Sequence, residues 1–240
     1  MLQKEETFIQ ALEKGIDSYV NVIKSGNHEV PYELRHQVFR LFGNIEEIYE
    51  LHKHSVYPRL TVCNGNARLI AETMSNFVQN DLFYCYIVYA MNQKLAEQLI
   101  GCHREFFENL RKNSYDLLGI NSFTIQPIQK LPRYKMFFDE IIKELSRDML
   151  TNKEAVAACC VAEKNMQRIL NRMNEALSIN DILETHEFSV SEQSRLMTSM
   201  QRDFGVSINE PMMILVPKTS SHFTFRSPVR KNLLKHKILF

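Results

Sequence analysis

The chain has 240 residues, with 29 basic against 28 acidic side chains and a formal charge of +1, so no net field draws it onto nucleic acid. With 45% hydrophobic residues it can bury a sizeable core, and its length allows one large domain, or one domain and part of another. Seven glycines and seven prolines are too few for an all-β fold over most of the length, and five cysteines without framework spacing read as reduced thiols. The expectation is a soluble, intracellular, mostly helical protein with a protein partner, since neither a signal core nor an apolar run of membrane-spanning length is evident.

Taken in order, Glu5 to about Ser25 carries Phe8, Ile9, Leu12, Ile16, Tyr19 and Ile23 at steps of three and four, which predicts a helix with an acidic first turn, ended by Ser25-Gly26-Asn27. Pro31 opens a second helix, Tyr32 through His54, whose stripe runs through Leu34, Leu41, Ile45 and Ile48; Gly43 interrupts it and reads as a close backbone contact. Pro58 and Asn64-Gly65-Asn66 break the pattern, and Leu69 to Val78 resume it. DLFYCYIVYAMN is apolar on nearly every side, as in a helix at the centre of a bundle, and its aromatics read as core. Lys94 to Arg111 predicts a further helix. His52, His54, Cys102 and His103 lack metal-ligand spacing and read as surface or packed side chains, so no metal or cofactor is expected.

SYDLLGINS links to Asn121–Leu145, the stretch around which the chain is organised. Its apolar stripe is Leu131, Tyr134, Phe138, Ile141, Ile142 and Leu145, and Gln126, Gln129, Lys130 and Arg133 form a polar stripe beside it. Pro127 and Pro132 stand inside this helical pattern, each costing about 3 kcal/mol in a helix interior, so compensation elsewhere is required. Thr151-Asn152-Lys153-Glu154 reads as a capping box opening a helix to about Glu184, with Asn174 off its apolar stripe. Residues 185–209 read as a linker. In 210–240, PMMILVP, HFTFR and HKILF are runs suited to strands.

The run Pro127-Ile128-Gln129-Lys130-Leu131-Pro132-Arg133-Tyr134 resembles the P-[IV]-Q-[RK]-[IL]-x-[RK]-Y signature of the Dbl-homology domain, the catalytic domain of Rho-family guanine nucleotide exchange factors. LFGNIEEIYELH resembles the family's second conserved region, and Glu5, Phe8, Ile9 and Leu12 match the spacing of its first helix. The resemblance implies an all-α, elongated multi-helix bundle over 1–184, with 210–240 as the truncated start of a pleckstrin-homology domain. It implies a GTPase-binding set of Glu5, Gln126, Gln129, Lys130, Arg133 and Asn174. Glu5 would engage the first switch loop, while Arg133 and Asn174, supported by Gln129, would hold the second. Three departures stand out: Lys130 replaces a frequent arginine, Ile125-Gln126 stands where aliphatic-lysine is usual, and Met136-Phe137-Phe138 takes the place of a leucine run.

No Walker loop, nucleophile elbow or HExxH is recognisable, so covalent chemistry is not indicated. Nucleotide exchange needs none, because it is a displacement. The implied partner is a Rho-family GTPase of Rho or Rac type, with no nucleic acid. Arg230, Lys231, Lys235 and Lys237 are either contacts to anionic lipid or a solvated strand edge. The implied location is cytoplasmic, with recruitment to membrane or cytoskeleton. The alternative function is a non-catalytic helical scaffold that binds a GTPase without releasing nucleotide.

Overall fold

The first helical run follows the apolar stripe closely in the computed structural model, which describes residues 1–27, 29–184, 214–217 and 223–226. It consists of α1 (Leu2–Gly15), a π-helical turn at Ile16–Val20 and α2 (Asn21–Ser25), and it ends where Gly26 turns left-handed at φ 59°. Phe8, Leu12, Tyr19 and Ile23 are its buried face. Gly15 is required by a close approach: a Cβ there would lie 2.0 Å from the ring of Phe123, which also stacks on Tyr19 with centroids 5.9 Å apart.

The second expected helix is not continuous. A 3-10 turn (Tyr32–Leu34) and α3 (Val38–Phe42) precede a break at Gly43, and α4 (Ile45–Leu51) starts afresh. Gly43 sits at φ 54°, ψ −138°, and a Cβ there would be 3.2 Å from the Tyr89 ring. Asn92 donates its side-chain amide to the carbonyls of Phe39 and Arg40, each at 3.0 Å, and so ends α3 from a distant part of the chain. Conversely, the chain runs helically through Pro58, where a break was expected. A π-helical turn at His52–Val56 directly precedes α5 (Tyr57–Val62), and this widened turn accommodates a ring that would otherwise collide with the carbonyl four residues back.

Asn66 caps α6 (Ala67–Gln79) by accepting the Leu69 N–H at 3.1 Å. The apolar helix α7 (Tyr84–Cys102) is buried as its composition predicts, but it continues into the segment read as a separate helix; the break falls at His103, and α8 (Arg104–Asn113) follows. Helix α9 (Ile120–Leu145) stays helical over 26 residues with both prolines inside it. In the turn that Pro127 disturbs, the Tyr89 hydroxyl of α7 donates to the Thr124 carbonyl at 2.6 Å. The 36-residue α10 (Met149–Glu184) packs against α6, α7 and α9. It begins before the expected capping box: Asp148 accepts the Thr151 N–H at 3.4 Å, and Glu154 is drawn instead into an ion pair with Arg68.

Strands β1 (Ile214–Pro217) and β2 (Phe223–Arg226) pair antiparallel with Leu215 opposite Phe225. The run HKILF, the 185–209 linker and Arg230, Lys231, Lys235 and Lys237 lie outside the described residues. Among the described residues, no helix is long and apolar enough to cross a membrane.

Gly43→Ala should destabilise the bundle by about 1–3 kcal/mol, because the new Cβ meets both a left-handed backbone and the Tyr89 ring. Urea denaturation measures this as a lowered midpoint at unchanged slope.

Candidate functional site

Glu5 is the point at which four parts of the chain meet. It stands in the first turn of α1 with no exposed surface. The ammonium of Lys130, from α9, is 2.7 Å from its Oε2, and the Tyr134 hydroxyl donates to that same oxygen at 2.7 Å. Its other oxygen, Oε1, accepts from Nδ1 of His52, at the start of the π-helical turn. The far nitrogen of His52, Nε2, lies 2.5 Å from the hydroxyl of Tyr86 on α7. Since an ionised carboxylate can only accept, His52 presents Nδ1–H to Glu5, and in the neutral ring the Nε2 lone pair then accepts a hydrogen bond from the Tyr86 hydroxyl. Aromatic rings close the remaining sides. Phe8 lies edge-on to His52 at 4.9 Å, Tyr134 stacks on it at 6.4 Å, and Lys130 sits over the Phe8 ring at 4.4 Å.

The electrostatics agree with this proton arrangement. Burial pushes the Glu5 carboxyl up, but the His52 hydrogen bond and the Lys130 ammonium outweigh it and hold the group below the usual carboxylate range. Burial pulls His52 below its usual value, with Glu5 opposing, which favours the neutral ring. Burial likewise lowers Lys130, again against the attraction of Glu5. Tyr86 and Tyr134 are pushed well up, first by burial and then by neighbouring groups, Glu5 among them.

Two expected surface residues are thus internal. Lys130 belongs to the polar stripe by spacing, yet it is 5% exposed, because it lies one turn before Tyr134 at the edge of the buried face and Glu5 draws it inward. Glu5 itself is sunk beneath the surface by the same contact. Gln129 and Arg133 remain exposed, with Gln126 half-buried, and Arg133 donates to the Gln129 amide oxygen at 3.2 Å. These residues border a cleft of about 550 Å³ between the start of α1 and the middle of α9, with Glu5 and Lys130 at its floor. Asn174 is exposed on α10 and lies off this cleft. Five of the six expected site residues are therefore gathered in one place.

His52 and Tyr86 were not among those six. A signal was available for His52: it continues the stripe of Ile45 and Ile48 at a step of four, which puts an ionisable ring on a buried face. Nothing in the sequence links Tyr86 to it.

The bundle, the cleft and the Pro127–Tyr134 run define a Dbl-homology-type helical domain. Residues 1–174 match the RhoGEF domain family, and the chain belongs to that family. It is 23% identical over 202 residues to human Rho guanine nucleotide exchange factor 25, covering 82% of this chain and 33% of that protein. It is 25% identical over 199 residues to human puratrophin-1, covering 82% and 16%. The chain thus spans a third or less of the length of these relatives. Among solved structures, the DH/PH fragment of PDZRhoGEF in complex with human RhoA superimposes with a TM-score of 0.62 at 16% identity, over 94% of this chain and 70% of that one. The Vav1 exchange factor superimposes with a TM-score of 0.60 at 14% identity, over 94% and 61%. At these identities the superpositions establish the fold.

Lys130→Met should cost about 3–5 kcal/mol, because it strands a buried carboxylate, and adding Glu5→Gln should restore part of the loss; denaturation of the singles and the double at pH 7 reads the coupling. Acid should also weaken the fold in two stages. Glu5 is held below its usual 4.5, so its contribution is complete above pH 4.5 and is lost as pH falls through that lowered value. His52 is lowered from 6.5, so the unfolded chain takes up a proton that the folded one refuses, and stability starts to fall below pH 6.5. Melting temperatures from pH 8 to pH 3 follow both stages.

Proposed function

We propose that this chain is a guanine nucleotide exchange factor for a Rho-family GTPase of Rho or Rac type. It acts by binding the nucleotide-free GTPase more tightly than the loaded one, and reciprocity then obliges it to weaken nucleotide binding by the same factor. The observation that carries this reading is the family match over residues 1–174 together with the exposure, along one cleft, of Gln129 and Arg133 from the signature run. A relative of the same fold was solved bound to human RhoA, which supports this class of partner.

In this reading Arg133 supplies a guanidinium to carbonyls or carboxylates of the second switch loop, Gln129 orients it, and Asn174 adds an amide that donates and accepts together. Gln126 contacts the GTPase at the rim, where the amide lacks the positive charge of a lysine and so bears on partner choice. Glu5 is the acceptor for the first switch loop, engaged when the partner's donor replaces Lys130 or Tyr134 at Oε2. Residues 1–184 form the Dbl-homology domain and 185–209 the linker. Residues 210–240 begin a pleckstrin-homology domain whose Arg230, Lys231, Lys235 and Lys237 meet anionic lipid and recruit the chain to a membrane.

The inward pairing of Glu5 with Lys130 favours a second reading, a scaffold that binds a GTPase without discharging it. Release of fluorescent GDP from a panel of Rho- and Rac-type GTPases separates the two. Under the exchange reading at least one member is accelerated. Arg133→Ala and Asn174→Ala each lower that acceleration by about tenfold or more, in line with losing a hydrogen bond to or from a charged group, while their melting temperatures stay unchanged. Measurable binding with unaltered release from every member would establish the scaffold.

A further inference from the structure

We propose that His52, backed by Tyr86, is a positioning residue for Glu5: it locks the carboxylate in one orientation and keeps it ionised by presenting Nδ1–H to Oε1. This rests on the exchange reading, in which Glu5 is the group that meets the first switch loop.

Three observations meet here. First, the ring is placed by the backbone device that admits Pro58: the π-helical turn His52–Val56 begins at His52. Second, the ring is wholly buried, and both its nitrogens are engaged by groups that fix the proton. Glu5 can only accept at Nδ1, and Tyr86, itself buried with no other partner on its hydroxyl among the described contacts, supplies the donor at Nε2. An imidazole free in water favours the other tautomer, with the proton on Nε2, so the pocket holds the less favoured form. Third, Oε2 is shared by Lys130 and Tyr134, whereas Oε1 has His52 as its donor. When a partner competes at Oε2, the His52 bond is the one that keeps the carboxylate from rotating.

The groups that face Glu5 are His52 from the π-helical turn and Lys130 and Tyr134 from α9, with Tyr86 of α7 behind His52. Their combined effect leaves Glu5 ionised throughout the physiological range, so exchange by the wild type should be flat from pH 6 to pH 8.

The test rests on the difference between two amides. An asparagine amide reaches the place of Nδ1, and a glutamine amide the place of Nε2. His52→Asn therefore keeps a donor for Glu5 and His52→Gln does not, although both replace the ring by a buried amide. Expected is an exchange rate within about threefold of wild type for H52N and at least about tenfold lower for H52Q, the loss that follows removal of a hydrogen bond to a charged group. Both variants are compared below their melting transitions. Equal losses in the two would overturn the proposal in favour of plain packing. A second readout is independent of any GTPase. Long-range ¹⁵N spectra should show His52 with Nδ1 protonated and Nε2 bare, and Tyr86→Phe should shift that balance; a proton resident on Nε2 in the wild type overturns the proposal. Should the wild type accelerate no GTPase at all, the exchange reading falls. The tautomer and the ¹³C titration of Glu5 in wild type and H52Q then decide whether His52 governs the carboxylate.

Discussion

The ion pair between Glu5 and Lys130 joins the two helices that line the cleft. The two residues are separated by 125 positions in sequence, and one lies in the first turn of a helix that would fray if left alone. A buried carboxylate is costly unless its lone pairs are filled, and this one accepts from an ammonium, a phenol and an imidazole. Each donor comes from the bundle that α1 must dock against. The pair therefore acts less as a source of net stability than as a register mark: α1 has one seat in which its charge is satisfied, and that seat sets the near wall of the cleft.

Side chains from elsewhere in the bundle likewise hold its irregular backbone. The π-helical turn at His52–Val56 admits Pro58 and begins at the imidazole that meets Glu5. The Tyr89 hydroxyl reaches across to a carbonyl of the turn that Pro127 disturbs, while Asn92, one turn later on the same helix, ends α3 at Gly43. Helix α7 thus serves the proline-bearing helix and the broken second helix from adjacent turns. Its near-uniform burial follows from having partners on every side.

Periodicity was a good guide wherever a helix is stabilised by its own stripe. The first helical run, its left-handed glycine end, the apolar central helix and the proline-bearing helix all stood out in the residues themselves. What could not be read was contributed by side chains outside each stripe or by backbone turns without a period. Gly43 looked like a weak point in a long helix because the Asn92 amide that terminates α3 is about fifty residues distant. Pro58 looked like a stop because a π-helical turn has no sequence period of its own. Thr151 to Glu154 had the composition of a capping box, but Asp148 and Arg68 competed for its parts. At the site, spacing alone put Lys130 beside Gln129 and Arg133. Only the position of Glu5, 125 residues earlier, turns it inward.

The division this creates bears on how such a surface can work. The exposed members, Gln129 and Arg133, hydrogen-bond each other one turn apart, so an incoming partner displaces a solvent-screened guanidinium–amide contact and meets little resistance. The buried members are held by charge-assisted bonds in a nearly dry setting, where exchanging one donor for another is favourable only if the newcomer matches the geometry of the one it replaces. In the exchange reading a cleft built this way separates two tasks: its rim captures partners loosely, while its floor accepts one that delivers a donor to a fixed oxygen. Under that reading discrimination resides in the rigidity of Glu5 rather than in the number of contacts around it, and that rigidity is supplied from behind by the buried His52 and Tyr86.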